Sequence, residues 1–82
     1  MSREIDVVMP PLGDAAGEQV VSAWLRSVGD QVTKGEDLFQ VETDKVEVTV
    51  EALDSGTLGR ILTGEGEAAE IGQVIAVLVA GE

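Results

Sequence analysis

The chain has 82 residues, 44% of them hydrophobic, and contains neither cysteine nor histidine. That describes one small domain held by packing and strand pairing, without a disulfide framework, a redox thiol, the usual catalytic triads or the usual zinc sites. Its net charge of −11 sets it against phosphate backbones and anionic lipid surfaces, so neither nucleic acid nor membrane is an expected partner.

Ile5 to Met9 reads as the first strand, ended by Pro10-Pro11, which cannot donate to a ladder. Leu12-Gly13-Asp14-Ala15-Ala16-Gly17 reads as an exposed loop. Gln19 to Leu25 has apolar residues at helical spacing, but its paired β-branched residues and the nearby Gly17 and Gly29 favour a second strand. Val28-Gly29-Asp30 is a turn, Gln31-Val32-Thr33 a very short strand, and Lys34-Gly35-Glu36 another turn. Leu38 to Glu42 is strand-like. From Val46 to Glu51, valines alternate with Glu47, Thr49 and Glu51, the period of a half-buried strand. Asp54-Ser55-Gly56 is a turn, Thr57 to Leu62 a strand, and Thr63 to Glu67 a loop. Ala69 to Ile71 is a short piece, and Val74 to Val79 is the last strand. No segment is securely helical, and turns recur every few residues, so the fold class expected is an all-β sandwich or barrel. Trp24 and Phe39 are the only aromatic residues, which leaves Val, Leu, Ile and Ala to make the core.

The second half echoes the first. Gly29-Asp30 returns as Gly66-Glu67, an offset of 37 residues (29 to 66). In the same register Val21 meets Leu58, Trp24 meets Ile61, Leu25 meets Leu62, Gly35 meets Gly72 and Leu38 meets Ile75. Two copies of a strand–turn–short strand–turn–strand unit, neither able to bury its apolar face alone, would pack face to face. A two-fold between them would make the Asp44-Lys45 turn the counterpart of the chain ends, and would set that turn at the opposite end of the domain from residues 1 and 82.

The turn itself lies in Val41-Glu42-Thr43-Asp44-Lys45-Val46-Glu47-Val48, between two strands. Asp44 can bond its own backbone there, which leaves Lys45 at the end of a hairpin. Lys34 is the only other lysine, and Glu42, Asp44 and Glu47 surround Lys45 with carboxylates. A nucleophilic lysine needs burial or a neighbouring cation. Lys45 is given carboxylates, which favour its charged form. It is suited to modification by another enzyme rather than to covalent catalysis of its own, although a solvated turn residue is the commonest role of such a lysine. The acidic residues lack calcium-loop spacing, and Gly64-x-Gly66 is too weak a motif to imply phosphate binding.

Glu42-Thr43-Asp44-Lys45-Val46 resembles the attachment hairpin of lipoyl domains, the swinging-arm carriers of 2-oxo acid dehydrogenase complexes. The resemblance runs along almost the whole chain: Val8-Met9-Pro10-Pro11-Leu12-Gly13 is similar to the family's first strand and its exit, Val28-Gly29-Asp30-Gln31-Val32 to its Gly-Asp-x-Val turn, and Ser55-Gly56-Thr57-Leu58 to the opening of its second half. It implies a flattened barrel of two four-stranded antiparallel sheets over residues 1–80, with Gly81-Glu82 beginning a linker. It implies lipoic acid in amide linkage on Lys45. It implies that Glu42, Thr43, Asp44, Val46 and Glu47 help a lipoate ligase or lipoyl transferase, and the partner dehydrogenase, to recognise the lysine. The loop Leu12, Gly13, Asp14, Ala15, Ala16, Gly17 would contact that dehydrogenase; its sequence departs from the family's common pattern.

The partners implied are a thiamin-dependent 2-oxo acid dehydrogenase, an acyltransferase core and a dihydrolipoyl dehydrogenase, between which a lysine-borne arm carries acyl groups and reducing equivalents. The parent chain would be a dihydrolipoyl acyltransferase, and the isolated domain a monomeric carrier rather than an enzyme. The resemblance leaves the 2-oxo acid open. Two alternatives stand beside it. A biotinyl carrier shares the architecture but has Ala-Met-Lys-Met where this chain has Asp44 and Val46 around the lysine. An unmodified interaction module of the same fold would tolerate loss of Lys45. The start, Met1-Ser2-Arg3-Glu4, carries neither a secretory signal nor Arg-rich transit character. The expected location is a bacterial cytoplasm, or the mitochondrial matrix if a transit peptide has been removed.

Overall fold

Val-, Ile- and Leu-rich runs punctuated by glycine turns pair as strands along the chain. The computed structural model describes residues 3–11, 18–43 and 47–80. They form β1 (Arg3–Val8), β2 (Glu18–Trp24), β3 (Gln31–Val32), β4 (Asp37–Glu42), β5 (Glu47–Glu51), β6 (Gly56–Ile61), β7 (Ala68–Glu70) and β8 (Val74–Ala80), and no helix occurs among the described residues. Gln19 to Trp24 is therefore strand, as its β-branched pair implied. Two four-stranded sheets result, ordered β1-β8-β6-β3 and β5-β4-β2-β7, with every pairing antiparallel. They pack as a sandwich and do not close into one continuous barrel, since each keeps two edge strands.

The 37-residue echo is a structural two-fold. It carries β2, β3 and β4 onto β6, β7 and β8, so each sheet is built from both halves of the chain. Bulges fall at matching places, between Val21 and Ala23 in β2 and between Leu58 and Arg60 in β6. The turns close reciprocally: the Gly29 amide donates to Leu58 O (2.8 Å), and the Gly66 amide donates to Val21 O (2.7 Å). Each half thus completes its partner's ladder and satisfies backbone groups that the partner alone would leave open.

The core follows the same two-fold. Its buried cluster consists of the pairs Val21/Leu58, Val32/Ala69, Leu38/Ile75, Phe39/Ala76, Val41/Leu78 and Met9/Ala52. Large residues oppose small ones at Phe39/Ala76, so the two inner faces interdigitate rather than mirror each other. Trp24 packs on Phe39 with ring centroids 5.0 Å apart, and its indole Nε1–H donates to Thr63 O at 2.9 Å.

Several boundaries differ from the sequence expectation, among them β1, which runs from Arg3 and ends at Val8 rather than Met9, and β3, which ends at Val32 rather than Thr33. Leu25 and Leu62 lie just past the ends of β2 and β6, 37% and 53% exposed, because the bulges turn the chain outward there. Gly56 opens β6 instead of closing a turn. It pairs with Val32, and a Cβ on it would stand 2.9 Å from Val79 O. Ile71 belongs to a turn, since Gly72 (φ 88°) reverses the chain immediately after it. The linker expected at Gly81-Glu82 lies outside the described residues, as do Lys45 and the chain ends expected opposite it.

Candidate functional site

β4 and β5 are consecutive, antiparallel and paired in register from Phe39↔Val50 to Glu42↔Glu47. Val41 and Val48 oppose each other and turn inward, Val41 being fully buried. Strand alternation then sets Glu42 and Glu47 outward at the last paired position, both exposed. Four residues, 43–46, join these two glutamates. Thr43 is half-buried. Asp44, Lys45 and Val46 lie outside the described residues, so the attachment position and its two immediate neighbours remain sequence expectations carried on a described strand pair.

The sheet below that pair is acidic on its outer side. Glu42 and Glu47 are direct cross-strand neighbours, as are Asp37 and Glu51, while Glu18 and Glu70 are paired in the backbone register of β2 and β7. Like charges directly opposite each other repel. Glu47 finds a partner two strands away: the Ser22 hydroxyl on β2 donates to Glu47 Oε2 at 2.9 Å, so the side chain reaches across β4. Gln40 Nε2 donates to Thr49 Oγ1 at 3.4 Å on the same face. Sequence reasoning brought Glu42 and Glu47 together but missed Ser22. The bulge in β2 breaks the period-two rule that would assign its side, and its partner is 25 residues away.

The loop Leu12 to Gly17 also lies outside the described residues, but its approach is fixed. The Met9 amide donates to Gln73 O (2.9 Å), and the Gly72 amide donates to Met9 O (2.8 Å). Gln19 is 1% exposed, and its Nε2 donates to Pro10 O at 3.0 Å. Gln19 thus anchors the strand exit from inside the core. A polar residue within an apolar strand gave no sequence signal for that role.

Among the described residues the buried polar side chains are Gln19 and Thr63. Among the described residues no group of three or more acidic, His or Cys side chains is placed to hold a metal ion. What the arrangement offers is a rigid antiparallel pair with a single lysine in the short connection, the layout of a domain that carries a group rather than transforms one. The family model described as "Biotin-requiring enzyme" matches residues 5–78, and the chain belongs to this biotinyl/lipoyl family, within it to the lipoyl domains.

The chain is 42% identical over 76 residues, 93% of its length, to the dihydrolipoyllysine-residue succinyltransferase component of the 2-oxoglutarate dehydrogenase complex of Staphylococcus saprophyticus. It is 40% identical over 82 residues, its full length, to the dihydrolipoyllysine-residue acetyltransferase component of the acetoin cleaving system of Pseudomonas putida. It is 38% identical over 76 residues, 92% of its length, to the pyruvate dehydrogenase E1 component subunit beta of Rhizobium meliloti. The chain spans 18%, 22% and 16% of these three relatives. The solution structure of the lipoyl domain of the 2-oxoglutarate dehydrogenase complex from Azotobacter vinelandii superposes with a TM-score of 0.77 at 28% identity, covering 95% of this chain and 99% of that one.

Proposed function

We propose that the chain is a lipoyl carrier whose Lys45 takes lipoic acid in amide linkage and presents it in turn to the enzymes of a 2-oxo acid dehydrogenase complex. The observation that carries this reading is the β4–β5 register, which ends at Glu42↔Glu47 and leaves one lysine in a four-residue connection. A prosthetic group attached by an amide needs an amine, a firm mount and open surroundings. The strand pair supplies the mount, and the exposed Glu42 and Glu47 show that the end of the ladder faces water. Lipoate bound there would supply a dithiolane able to accept an acyl group and two electrons.

The chain's own residues have the remaining tasks. Glu42 and Glu47, with Asp44 and Val46 beside the lysine, mark Lys45 for the ligase or lipoyl transferase and for the partner dehydrogenase. Lys34, the other lysine, lies instead between β3 and β4, where its backbone amide donates to Ser55 Oγ at 2.9 Å beside the Gly35 turn. Leu12 to Gly17, leaving the core at the point pinned by Gln19, would be the second contact with that dehydrogenase. Tethering to the complex keeps the effective concentration of the arm high at each site. The parent protein would be a dihydrolipoyl acyltransferase, handing acyl groups to its own core, with a dihydrolipoyl dehydrogenase restoring the disulfide. The flanks Asp44 and Val46 favour lipoate over biotin.

The test is reductive acylation. The lipoylated chain, given a thiamin-dependent 2-oxo acid dehydrogenase and its substrate, should gain an acyl group on the arm, measured by mass. Pyruvate and 2-oxoglutarate dehydrogenases run side by side would identify the complex. A lipoylated, folded chain that no such dehydrogenase acylates would contradict the carrier function.

A further inference from the structure

The two-fold provides an internal control, since the same scaffold occurs once beneath the lysine connection and once beneath the chain ends. At matching positions the outer faces differ. Val79 stands where Glu42 does, Gly59 where Ser22 does, Arg60 where Ala23 does, and Glu4 where Glu47 does. In the sheet of the chain ends, Arg60 faces Glu4 at 3.8 Å, and a Cβ on Gly59 would lie 2.8 Å from Val79 Cγ2. Beneath the lysine connection an acid–acid pair replaces the valine contact, the arginine is absent, and a serine hydroxyl holds one of the two carboxylates. The other half of the fold is thus built without a counterpart of the Glu42/Glu47 pair or of the Ser22 bond.

Ser22 lies two residues further from the connection than Val20, which is level with Glu42. Its bond draws the Glu47 carboxylate across β4 and back along the sheet. Without it, Glu47 would be repelled by Glu42 and would sample many rotamers, and docking would have to order it again. We infer that Ser22 is a positioning residue for recognition of the attachment hairpin: it holds Glu47 in the one orientation in which the lipoate-attaching enzyme meets it, through a basic group on that enzyme. The inference rests on the lipoyl reading and extends it to a strand outside the attachment motif.

The test uses the unmodified 82-residue chain with lipoate ligase, ATP and lipoate, and measures initial lipoylation rates against chain concentration. Ser22→Ala should raise KM about three- to tenfold at unchanged kcat, the loss of one charge-assisted hydrogen bond. Ser22→Thr should restore it. Glu47→Ala should show at least a comparable rise, and adding Ser22→Ala to Glu47→Ala should change nothing further. Thermal unfolding and far-UV circular dichroism of each variant would show that the fold is kept. A Ser22→Ala chain with the wild-type KM would overturn the inference, as would a Ser22→Ala defect that persists undiminished in the Glu47→Ala background. A wild-type chain that the ligase leaves untouched would overturn the carrier reading itself, a result distinct from a modified wild type indifferent to Ser22.

Discussion

Single residues decide how closely the strands approach. Gly56 opens β6 with Val79 O 2.9 Å from where a Cβ would stand, and both the Val79 carbonyl carbon and the Ala80 nitrogen lie within 3.4 Å of that point. These are backbone atoms of the neighbouring strand β8 and cannot rotate away. Gly56→Ala should destabilise the domain by about 1–3 kcal/mol through overpacking, read as a lower denaturation midpoint in urea with an unchanged slope. Gly64, whose nearest neighbour is the flexible Glu67 side chain at 3.4 Å, should tolerate the same change. Sequence alone assigns Gly56 to a turn beside Asp54 and Ser55, because close approach by a distant strand leaves no local trace. The expectation at Lys45 has the opposite basis, since its setting of carboxylates and flanking valines is entirely local in the sequence, and the residue lies outside the described ones. Ser22 and Gln19 act on residues 25 and 9 positions away, and period-two reasoning does not reach either contact.

At the scale of elements, the reciprocal turns carry the architecture. Gly29 (φ 97°) and Gly66 (φ 85°) occupy two-fold-related positions, and each donates its amide into the other half of the chain. Neither has an atom within 4 Å of a built Cβ, so substitution strains only the backbone. Gly29→Ala and Gly66→Ala should each cost about 1–3 kcal/mol, and the two values should agree, because a side chain is forced to positive φ at the same place in each copy. Chemical denaturation of the two variants measures this; one large loss beside a neutral change would contradict the equivalence. The offset of 37 residues makes this repeat readable in the sequence. β1 and β5 are also two-fold mates, with Met9 standing to β1 as Ala52 stands to β5, but β1 precedes the copy it completes. Their offset is 43 residues (9 to 52), so the register that revealed the other strands hid this pair.

Across the whole molecule, charge opposes folding. The chain has 16 acidic residues against five Lys and Arg, and the acid pairs Glu42/Glu47 and Asp37/Glu51 are cross-strand neighbours in the sheet that bears the lysine connection. The described ion pairs Arg26–Glu36 (3.4 Å) and Arg60–Glu4 (3.8 Å) are substantially exposed and add little. Salt should therefore stabilise the domain by screening its repulsion. Raising sodium chloride from low concentration to about 0.5 M should lift Tm by about 5 °C, followed by circular dichroism. A Tm that falls with salt would mean that attraction dominates instead. Amidation of Lys45 would remove one more positive charge, so the modified form should respond to salt at least as strongly.

The proposed carrier function turns on Lys45 as the attachment point. The most direct measurement is the intact mass of the chain after co-expression with a lipoate ligase in the presence of lipoate, beside Lys45→Ala treated identically. A single lipoyl-amide increment on the wild type, absent from the variant, is the expected result. A folded wild type without that increment, or an increment that survives in Lys45→Ala, would contradict it.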